Sequence, residues 1–113
     1  MFDFRKSVVY QCYFKSFFDS DGDGVGDLGG VTAKLDYLKT LGVDYIWLNP
    51  FFPSPQRDNG YDVADYCAVD PRFGTMADFE TLSREAAQRG IRLMLDMVFN
   101  HTSTCLLYTS RCV

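Results

Sequence analysis

An aspartate-rich stretch, DSDGDGVGD at residues 19–27, has the spacing of a metal site within this sequence of 113 residues. Calcium loops of the EF-hand type take oxygen ligands at alternate positions, with glycine at position 6 and a backbone carbonyl at position 7. Counting from Asp19 puts Gly24 and Val25 at those positions. The predicted ligands are oxygens at alternate residues: Asp19, Asp21, Asp23, the Val25 carbonyl and Asp27. Hard oxygen ligands suit Ca²⁺ in a structural role, with Mg²⁺ as the alternative ion.

Two features separate this stretch from an EF-hand. Position 12 should be a bidentate glutamate, but it is Gly30. The residues before the loop are rich in β-branched and aromatic types, which indicates a strand rather than a helix. The sequence therefore predicts an ion loop without the EF-hand fold. A solvated Asp/Gly turn is the alternative, although aspartates this close repel one another without a cation.

The elements around the loop alternate between strand and helix. Apolar residues at helical spacing and capping signals predict two helices. The first ends at Gly42 and has an apolar face formed by Val31, Leu35, Leu38 and Leu41. The second runs from Thr75 to Gly90. Short apolar runs predict strands at 8–14, 45–48 and 91–99, and a long loop spans 50–74. The β-α-β-α-β order predicts a parallel sheet, either in a (β/α)8 barrel or in a doubly wound fold.

Polar segments after each predicted strand favour the barrel. DSDGDGVGD, SPQRDNGYD and NHTS follow the three strands in turn, and such strand ends converge on the active-site face of a (β/α)8 barrel. No G-x-G-x-x-G turn follows the first strand, which weakens the doubly wound alternative. A closed barrel has eight strands and about 200 residues or more. We therefore expect residues 1–103 to be the N-terminal part of a larger catalytic barrel.

Five stretches of the chain carry a family resemblance: SVVYQCYFKSFFDSDGDGVGDLGG, KLDYLKTLGVDYIWLNPFFPSP, DNGYDVADY, DPRFGTMADF and RGIRLMLDMVFNHTS. In these residues the chain resembles the alpha-amylase family of glycoside hydrolases (family 13), in its oligo-1,6-glucosidase and trehalose-6-phosphate hydrolase branch. The resemblance implies a (β/α)8 barrel and a retaining mechanism with an aspartate nucleophile and a glutamate acid/base. In the family those carboxylates lie on later strands, so no catalytic residue is expected here.

The resemblance does imply substrate-binding and supporting residues. His101 matches a histidine that hydrogen-bonds the sugar, Tyr61 matches a tyrosine that stacks on it, and Asp58 matches an aspartate that binds its terminal hydroxyls. Asp96 and Asn100 match residues that support the active-site network. The residues alone also allow structural roles: a hydrogen-bonding histidine, a packed tyrosine anchor and an Asx-turn aspartate.

The resemblance favours an α-glucosidase acting on short α-glucosides. SPQRDNGYDVADY and LDMVFNHTST are most similar to trehalose-6-phosphate hydrolases, whereas the aspartate-loaded loop suits oligo-1,6-glucosidases equally well. An alternative of another class is a non-catalytic calcium-binding module. The expected partner is a small α-glucoside, and the oligomeric state is left open.

Composition and termini add further expectations. A net charge of −4 without a run of Lys/Arg argues against a nucleic-acid partner, and no apolar stretch has the length of a membrane span. The first ten residues lack the apolar core of a secretory signal. Cysteines without metal-like spacing are expected as free thiols in a reducing cytoplasm: Cys12, Cys67, Cys105 and Cys112. The resemblance stops at Thr104, so we expect residues 104–113 to be a non-native tail.

Overall fold

The computed structural model describes residues 3–106. Six regular elements follow one another in the order β-α-α-β-α-β: β1 (Val9–Cys12), α1 (Leu28–Ala33), α2 (Leu35–Leu41), β2 (Tyr45–Leu48), α3 (Met76–Gln88) and β3 (Arg92–Leu95). Two short 3-10 helices, Phe4–Lys6 and Phe14–Ser16, flank β1. Residues 49–75, between β2 and α3, hold no regular element.

The three strands form one parallel sheet in the order β1-β2-β3. Cys12 pairs with Leu48, and Leu48 pairs with Leu95, so the strands end at the same level. Parallel strands joined through helices are the unit from which (β/α)8 barrels are built. The predicted fold class is confirmed in this part of the chain.

Strands β1 and β3 are shorter than the sequence predicts. The runs at 8–14 and 91–99 contribute only Val9–Cys12 and Arg92–Leu95 to the sheet. The central strand β2 limits the lengths of β1 and β3, because it ends at Leu48 and Pro50 follows shortly after it. Proline has no N–H to donate to a ladder, so residues beyond the end of β2 have no strand to pair with.

The predicted first helix is two helices. The helix is interrupted at Lys34 (φ −103°, ψ 8°), which lies between α1 and α2. Leu35 and Leu38 are fully buried as predicted, but Leu41 is 55% exposed. At about 100° per residue, Leu41 points roughly 120° away from Leu35 around the helix. Gly42 ends α2 in the left-handed conformation (φ 87°), as expected of a C-terminal stop.

Helix α3 begins at the predicted capping box. The Asp78 N–H donates to Thr75 Oγ1 at 3.2 Å, and the Thr75 N–H donates to Asp78 Oδ2 at 2.7 Å. Its apolar face buries Leu82 and Ala86 completely against the sheet and α1. A second, smaller apolar cluster lies under the loops that follow the strands and contains Phe52, Val63 and Val98, with Tyr61 and Tyr66 packed against it.

The prediction of four free cysteines is wrong for Cys105, which is disulfide-bonded. Cys12 and Cys67 are free thiols, and burial raises the pKa of Cys12 to about 12, so this thiol is unreactive. Pairing depends on two Cβ atoms coming within about 4 Å in space, which sequence spacing does not reveal. Cys112 lies outside the described residues, as does most of the predicted tail at 104–113. The non-native origin of that tail and the cytoplasmic location stay predictions.

Between residues 3 and 106, none of the helices has the length and apolar character needed to cross a membrane.

The outer edges of β1 and β3 lead to a prediction about the isolated chain. Within residues 3–106 neither strand has a second neighbour, and Met97 and Phe99 beyond β3 are 48% and 78% exposed. Unpaired strand edges and exposed apolar side chains promote association. We expect the 113-residue chain alone to elute as aggregates in size-exclusion chromatography and to bind a hydrophobic dye.

The matched variant is Met97→Lys/Phe99→Lys, which should shift material from aggregate to monomer. A monodisperse wild-type chain with a cooperative thermal transition would contradict this prediction.

Candidate functional site

The hydroxyl of Tyr61 joins two strand ends. It donates a hydrogen bond to Asp96 Oδ2 at 2.7 Å and accepts one from Asn49 Nδ2 at 3.1 Å. Asn49 directly follows β2 and Asp96 directly follows β3, and the last residues of these strands are paired in register. The strand alignment therefore brings an amide and a carboxylate close enough for one tyrosine to bridge them.

The surroundings keep the Tyr61 hydroxyl protonated. Burial raises the pKa of Tyr61 above its ordinary value, and its hydrogen bond to Asp96 raises it further, against a smaller opposing effect of Asn49. The tyrosine therefore remains a hydrogen-bond donor at neutral pH. Asn49 is only 8% exposed, and its Oδ1 has no hydrogen-bond partner among residues 3–106.

His101 lies beside this tyrosine. Its Nε2 is 3.1 Å from the Tyr61 carbonyl oxygen, a contact that suits the tautomer protonated at Nε2. The hydroxyl of Tyr66 donates to the Val98 carbonyl at 2.6 Å and lies 3.1 Å from the His101 carbonyl, which holds segment 98–101 against the second apolar cluster. His101 is exposed, so its ring is accessible to a ligand from solvent.

Asp58 lies on an exposed turn three residues before Tyr61. Its main chain is held at both ends, because its N–H donates to Asp62 Oδ1 at 3.1 Å and its carbonyl accepts from the Tyr61 N–H at 3.0 Å. Its carboxylate accepts no hydrogen bond from the described residues, although its charge contributes to the raised pKa of Tyr61. The negative charge of Asp58 is thus near the site and available to a ligand.

Asn100 is exposed, and its side chain makes no hydrogen bond within residues 3–106. The structure therefore brings together Tyr61, Asp96 and His101, with Asp58 at their edge, and leaves Asn100 outside the hydrogen-bonded group. The supporting role of Asn100 stays a prediction.

The ion loop (residues 19–27) curls around its own carboxylates. Asp19 accepts three main-chain hydrogen bonds, from the N–H groups of Asp21, Gly22 and Gly24. Asp27 is 6% exposed and caps α1, accepting from the Gly30 N–H at 2.6 Å as well as from the hydroxyl and N–H of Ser20. These bonds fix the loop's shape and orient both carboxylates.

The geometry of the ion loop suits a cation. Asp19, Asp21 and Asp27 each offer a carboxylate oxygen, and these atoms lie within 4.8 Å of one another. A carboxylate has about four lone-pair positions, so the three bonds on Asp19 leave room for a cation contact. The residues therefore fit a Ca²⁺ or Mg²⁺ ion held by Asp19, Asp21 and Asp27.

The negative charges of the carboxylates in the ion loop also favour a bound cation. The N–H of Asp23 lowers the pKa of Asp21, but desolvation and the carboxylates of Asp23 and Asp19 outweigh it, so the net shift is upward. The Asp23 carboxylate lies outside the group of three and accepts from the Val25 N–H at 2.8 Å. Asp23 and the Val25 carbonyl stay predicted ligands.

Sequence reasoning missed several polar residues that organise the site. Asn49 directly follows the predicted strand 45–48 and Asp62 lies in the stretch DNGYDVADY, but neither position predicted a role in the site. Nothing in the spacing of Lys15 or Tyr66 pointed to a role, because their partners are 32 or more residues away in the sequence.

The segment that carries these groups matches a known catalytic domain. Residues 11–112 match the alpha-amylase catalytic domain. This chain belongs to the alpha-amylase family. The match confirms the resemblance seen in the sequence, and together with solved structures it identifies the fold as the N-terminal part of a (β/α)8 barrel.

Relatives in the alpha-amylase family include two kinds of α-glucosidase. A trehalose-6-phosphate hydrolase from Escherichia coli (strain K12) is 62% identical over 100 residues, which cover 88% of this chain and 18% of that protein. An oligo-1,6-glucosidase from Parageobacillus thermoglucosidasius is 57% identical over 99 residues, with the same coverage of 88% and 18%. The chain thus spans about 18% of the length of the curated relatives it matches.

Solved structures give the same picture. The crystal structure of a trehalose-6-phosphate hydrolase from Bacillus licheniformis has a TM-score of 0.89 and 56% identity, covering 90% of this chain and 18% of that one. A mutant trehalulose synthase in complex with Tris has a TM-score of 0.87 and 53% identity, covering 89% and 18%. This part of the fold is therefore shared by enzymes whose names describe different reactions.

The bridging hydroxyl of Tyr61 leads to a stability prediction. In the full-length protein, Tyr61→Phe leaves the buried Asn49 amide without its acceptor and Asp96 without its donor. We expect a loss of about 1–3 kcal/mol, because unsatisfied buried polar groups keep their desolvation cost. Urea denaturation followed by intrinsic fluorescence measures the change.

Tyr37→Phe is the matched control, since Tyr37 is 57% exposed on α2 and its hydroxyl makes no hydrogen bond within the described residues. Equal unfolding midpoints for the two variants would contradict a bridging role for Tyr61.

Proposed function

We propose that this chain forms the N-terminal part of the catalytic barrel of a retaining α-glucosidase that acts on short α-glucosides. The observation that carries the proposal is the meeting of Tyr61, Asp96 and His101 at the carboxyl ends of parallel strands. Active sites of (β/α)8 barrels lie at that face. Family membership supports the reaction type.

Each side chain of the site has a task in sugar binding. Hydrogen bonds at its hydroxyl hold Tyr61 in place, so the ring can serve as an apolar platform for one face of a glucose unit. The exposed His101 ring can contact a sugar hydroxyl, and the Asp58 carboxylate can accept hydrogen bonds from hydroxyls at the non-reducing end. An apolar platform with a few convergent polar groups is the usual form of such a site.

Asp96 is not proposed as the nucleophile. Its Oδ2 accepts the Tyr61 hydroxyl, so this carboxylate acts as a supporting acceptor. A retaining glycosidase needs a nucleophile and an acid/base about 5–5.5 Å apart. We expect both carboxylates on strands that follow this segment, as the family resemblance implies, and we therefore expect the 113-residue chain alone to hydrolyse nothing.

Among substrates we favour trehalose 6-phosphate, with isomaltose-type sugars as the alternative. The relative named trehalose-6-phosphate hydrolase is 62% identical, against 57% for the oligo-1,6-glucosidase. Groups that would bind the phosphate or select the linkage are expected on strands that follow this segment.

We further propose that the ion loop holds one structural Ca²⁺, with Mg²⁺ as the alternative. The clustered oxygens of Asp19, Asp21 and Asp27 support this. The ion would neutralise the mutual repulsion of these carboxylates and keep the loop after β1 in one shape. The acidic cluster also supports the alternative of a non-catalytic calcium-binding module, which the two experiments below separate from an enzyme.

Hydrolysis by the full-length protein tests the enzymatic proposal. We expect release of glucose from trehalose 6-phosphate at a higher kcat/KM than from isomaltose. Asp58→Asn should lower kcat/KM by about 100-fold, because a charge-assisted hydrogen bond to the sugar is lost. Asp65→Asn is the control, since the Asp65 carboxylate is occupied by the Cys67 N–H.

A preference for isomaltose would favour the oligo-1,6-glucosidase alternative. No hydrolysis of either sugar by the purified full-length protein would overturn the proposal and favour the calcium-binding module.

Thermal melts with chelator and with added ions test the ion loop. We expect EDTA to lower the Tm of the full-length protein and Ca²⁺ to restore it. At 100 times its Kd, a bound ion adds up to about 2.7 kcal/mol to the free energy of unfolding. Asp21→Asn should abolish most of this dependence. Asp23→Asn should have a smaller effect, because the Asp23 carboxylate lies outside the group formed by Asp19, Asp21 and Asp27.

Equal losses for the two variants would identify Asp23 as a fourth carboxylate ligand. A Tm that is the same with EDTA, Ca²⁺ and Mg²⁺ would exclude a structural ion.

A further inference from the structure

The turn that carries Asp58 has an unusual backbone. Gln56 (φ 60°) and Asn59 (φ 55°) are the non-glycine residues with positive φ in the part of the chain that the structure describes. Such residues are uncommon in the left-handed region, and a conformation of this kind persists only where its surroundings enforce it. Since Gln56 and Asn59 lie on either side of Asp58, whatever holds them also sets the position of Asp58.

Lys15 supplies the contacts that hold both residues. Its Nζ donates to Gln56 Oε1 at 2.5 Å, to Asn59 Oδ1 at 2.9 Å and to the Asn59 carbonyl at 3.2 Å. An ammonium group has three N–H donors, so all of them are used on this turn. The hydroxyl of Tyr13 also donates to Asn59 Oδ1, at 3.0 Å. We call these four residues, Tyr13, Lys15, Gln56 and Asn59, the Lys15 clasp.

The base of the Lys15 clasp is firmly anchored. Lys15 lies in the 3-10 helix Phe14–Ser16, whose Phe14 is fully buried. The Lys15 carbonyl accepts a hydrogen bond from the Gly26 N–H at 2.7 Å, and a Cβ on Gly26 would lie 1.9 Å from the Phe14 carbonyl oxygen. The Lys15 ammonium also lies 5.1 Å from the centroid of the Phe73 ring. These contacts fix the position of Lys15, so its ammonium group can hold the turn in place.

The opposite side of the turn is held by Asp62. Its carboxylate accepts hydrogen bonds from the N–H groups of Arg57 and Asp58, at 2.9 and 3.1 Å, and from the Ser54 hydroxyl at 2.8 Å. The main chain of Asp58 is therefore clamped between Asp62 and the Lys15 clasp, while its own carboxylate accepts no hydrogen bond from the described residues. This arrangement fixes a backbone and leaves its side chain available.

We propose that Lys15 is a positioning residue: it holds Gln56 and Asn59 in the left-handed conformation and thereby places the Asp58 carboxylate for a ligand. The consequence for sugar binding rests on the proposed function, whereas the hold on the turn does not. The competing explanation is that Lys15 contributes only to general stability through its contact with Phe73.

Hydrogen exchange and kinetics on the full-length protein separate these explanations. Lys15→Met keeps the length and the apolar stem but removes all three donors. We expect amide exchange in residues 56–61 to rise about tenfold, with exchange in α3 unchanged, and KM to rise about tenfold with a smaller change in kcat. In the Asp58→Asn background, Lys15→Met should add little to the loss of kcat/KM, because the carboxylate that Lys15 positions is already absent.

Lys34→Met is the matched control. Lys34 also lies over an aromatic ring, at 4.3 Å from the Phe18 centroid, but it makes no contact with the turn. It should leave both the exchange of 56–61 and KM unchanged. If Lys15→Met does not fold, Gln56→Leu takes its place, because it removes one acceptor of the clasp without touching the core.

Three results would overturn the proposal: unchanged exchange at 56–61, exchange that rises equally across α3, or kinetic effects of Lys15→Met and Asp58→Asn that are fully additive. If the wild-type protein hydrolyses no α-glucoside, the proposed function fails. The exchange comparison of Lys15→Met with Lys34→Met then decides by itself whether Lys15 positions the turn.

Discussion

The in-register parallel pairing of β1, β2 and β3 is the constraint on which the site depends. Because Leu48 pairs with Leu95, the residues that follow them, Asn49 and Asp96, leave the sheet at the same level. That level is where Tyr61 connects them through its hydroxyl. A shift of one residue between β2 and β3 would turn one of the two side chains to the other face of the sheet and break the bridge.

The long loop 50–74 is shaped by side chains instead of by regular secondary structure. Asp62 accepts hydrogen bonds from main-chain N–H groups of the Asp58 turn. The buried Asp70 accepts a hydrogen bond from the Ser54 N–H at 3.3 Å and forms an ion pair with Arg72. Burial raises the pKa of Asp70, but its bonds with Arg72 lower it more, so the net shift is downward and the carboxylate stays charged at neutral pH. The carboxylates of half-buried Asp62 and buried Asp70 thus fix the backbone of the loop, as ladder hydrogen bonds fix a strand.

The ion loop and the Asp58 turn meet at Lys15. Its carbonyl accepts a hydrogen bond from the Gly26 N–H at the end of the ion loop, and its ammonium group donates hydrogen bonds to Gln56 and Asn59. The segment after β1 thus fixes part of the segment after β2.

Local signals in the sequence predicted the helices and strands well where both partners of an interaction are close along the chain. The capping box of Thr75 and Asp78 and the stop at Gly42 are of this kind. The predictions failed where a distant partner decides, as at the ends of β1 and β3, which the central strand β2 limits. The exposure of Leu41 and the disulfide of Cys105 were also missed. The break at Lys34 also had no visible signal in a continuous helical pattern.

The sequence by itself determined the family and the alternation of strands with helical segments, because these reside in motifs and in short-range periodicity. Only the tertiary structure decided that Asn49 and Asp96 share the Tyr61 hydroxyl and that Lys15 holds the Asp58 turn. The Lys15 contacts join residues 41 and 44 positions apart. Contacts over such separations depend on strand register and loop path, which no local pattern encodes.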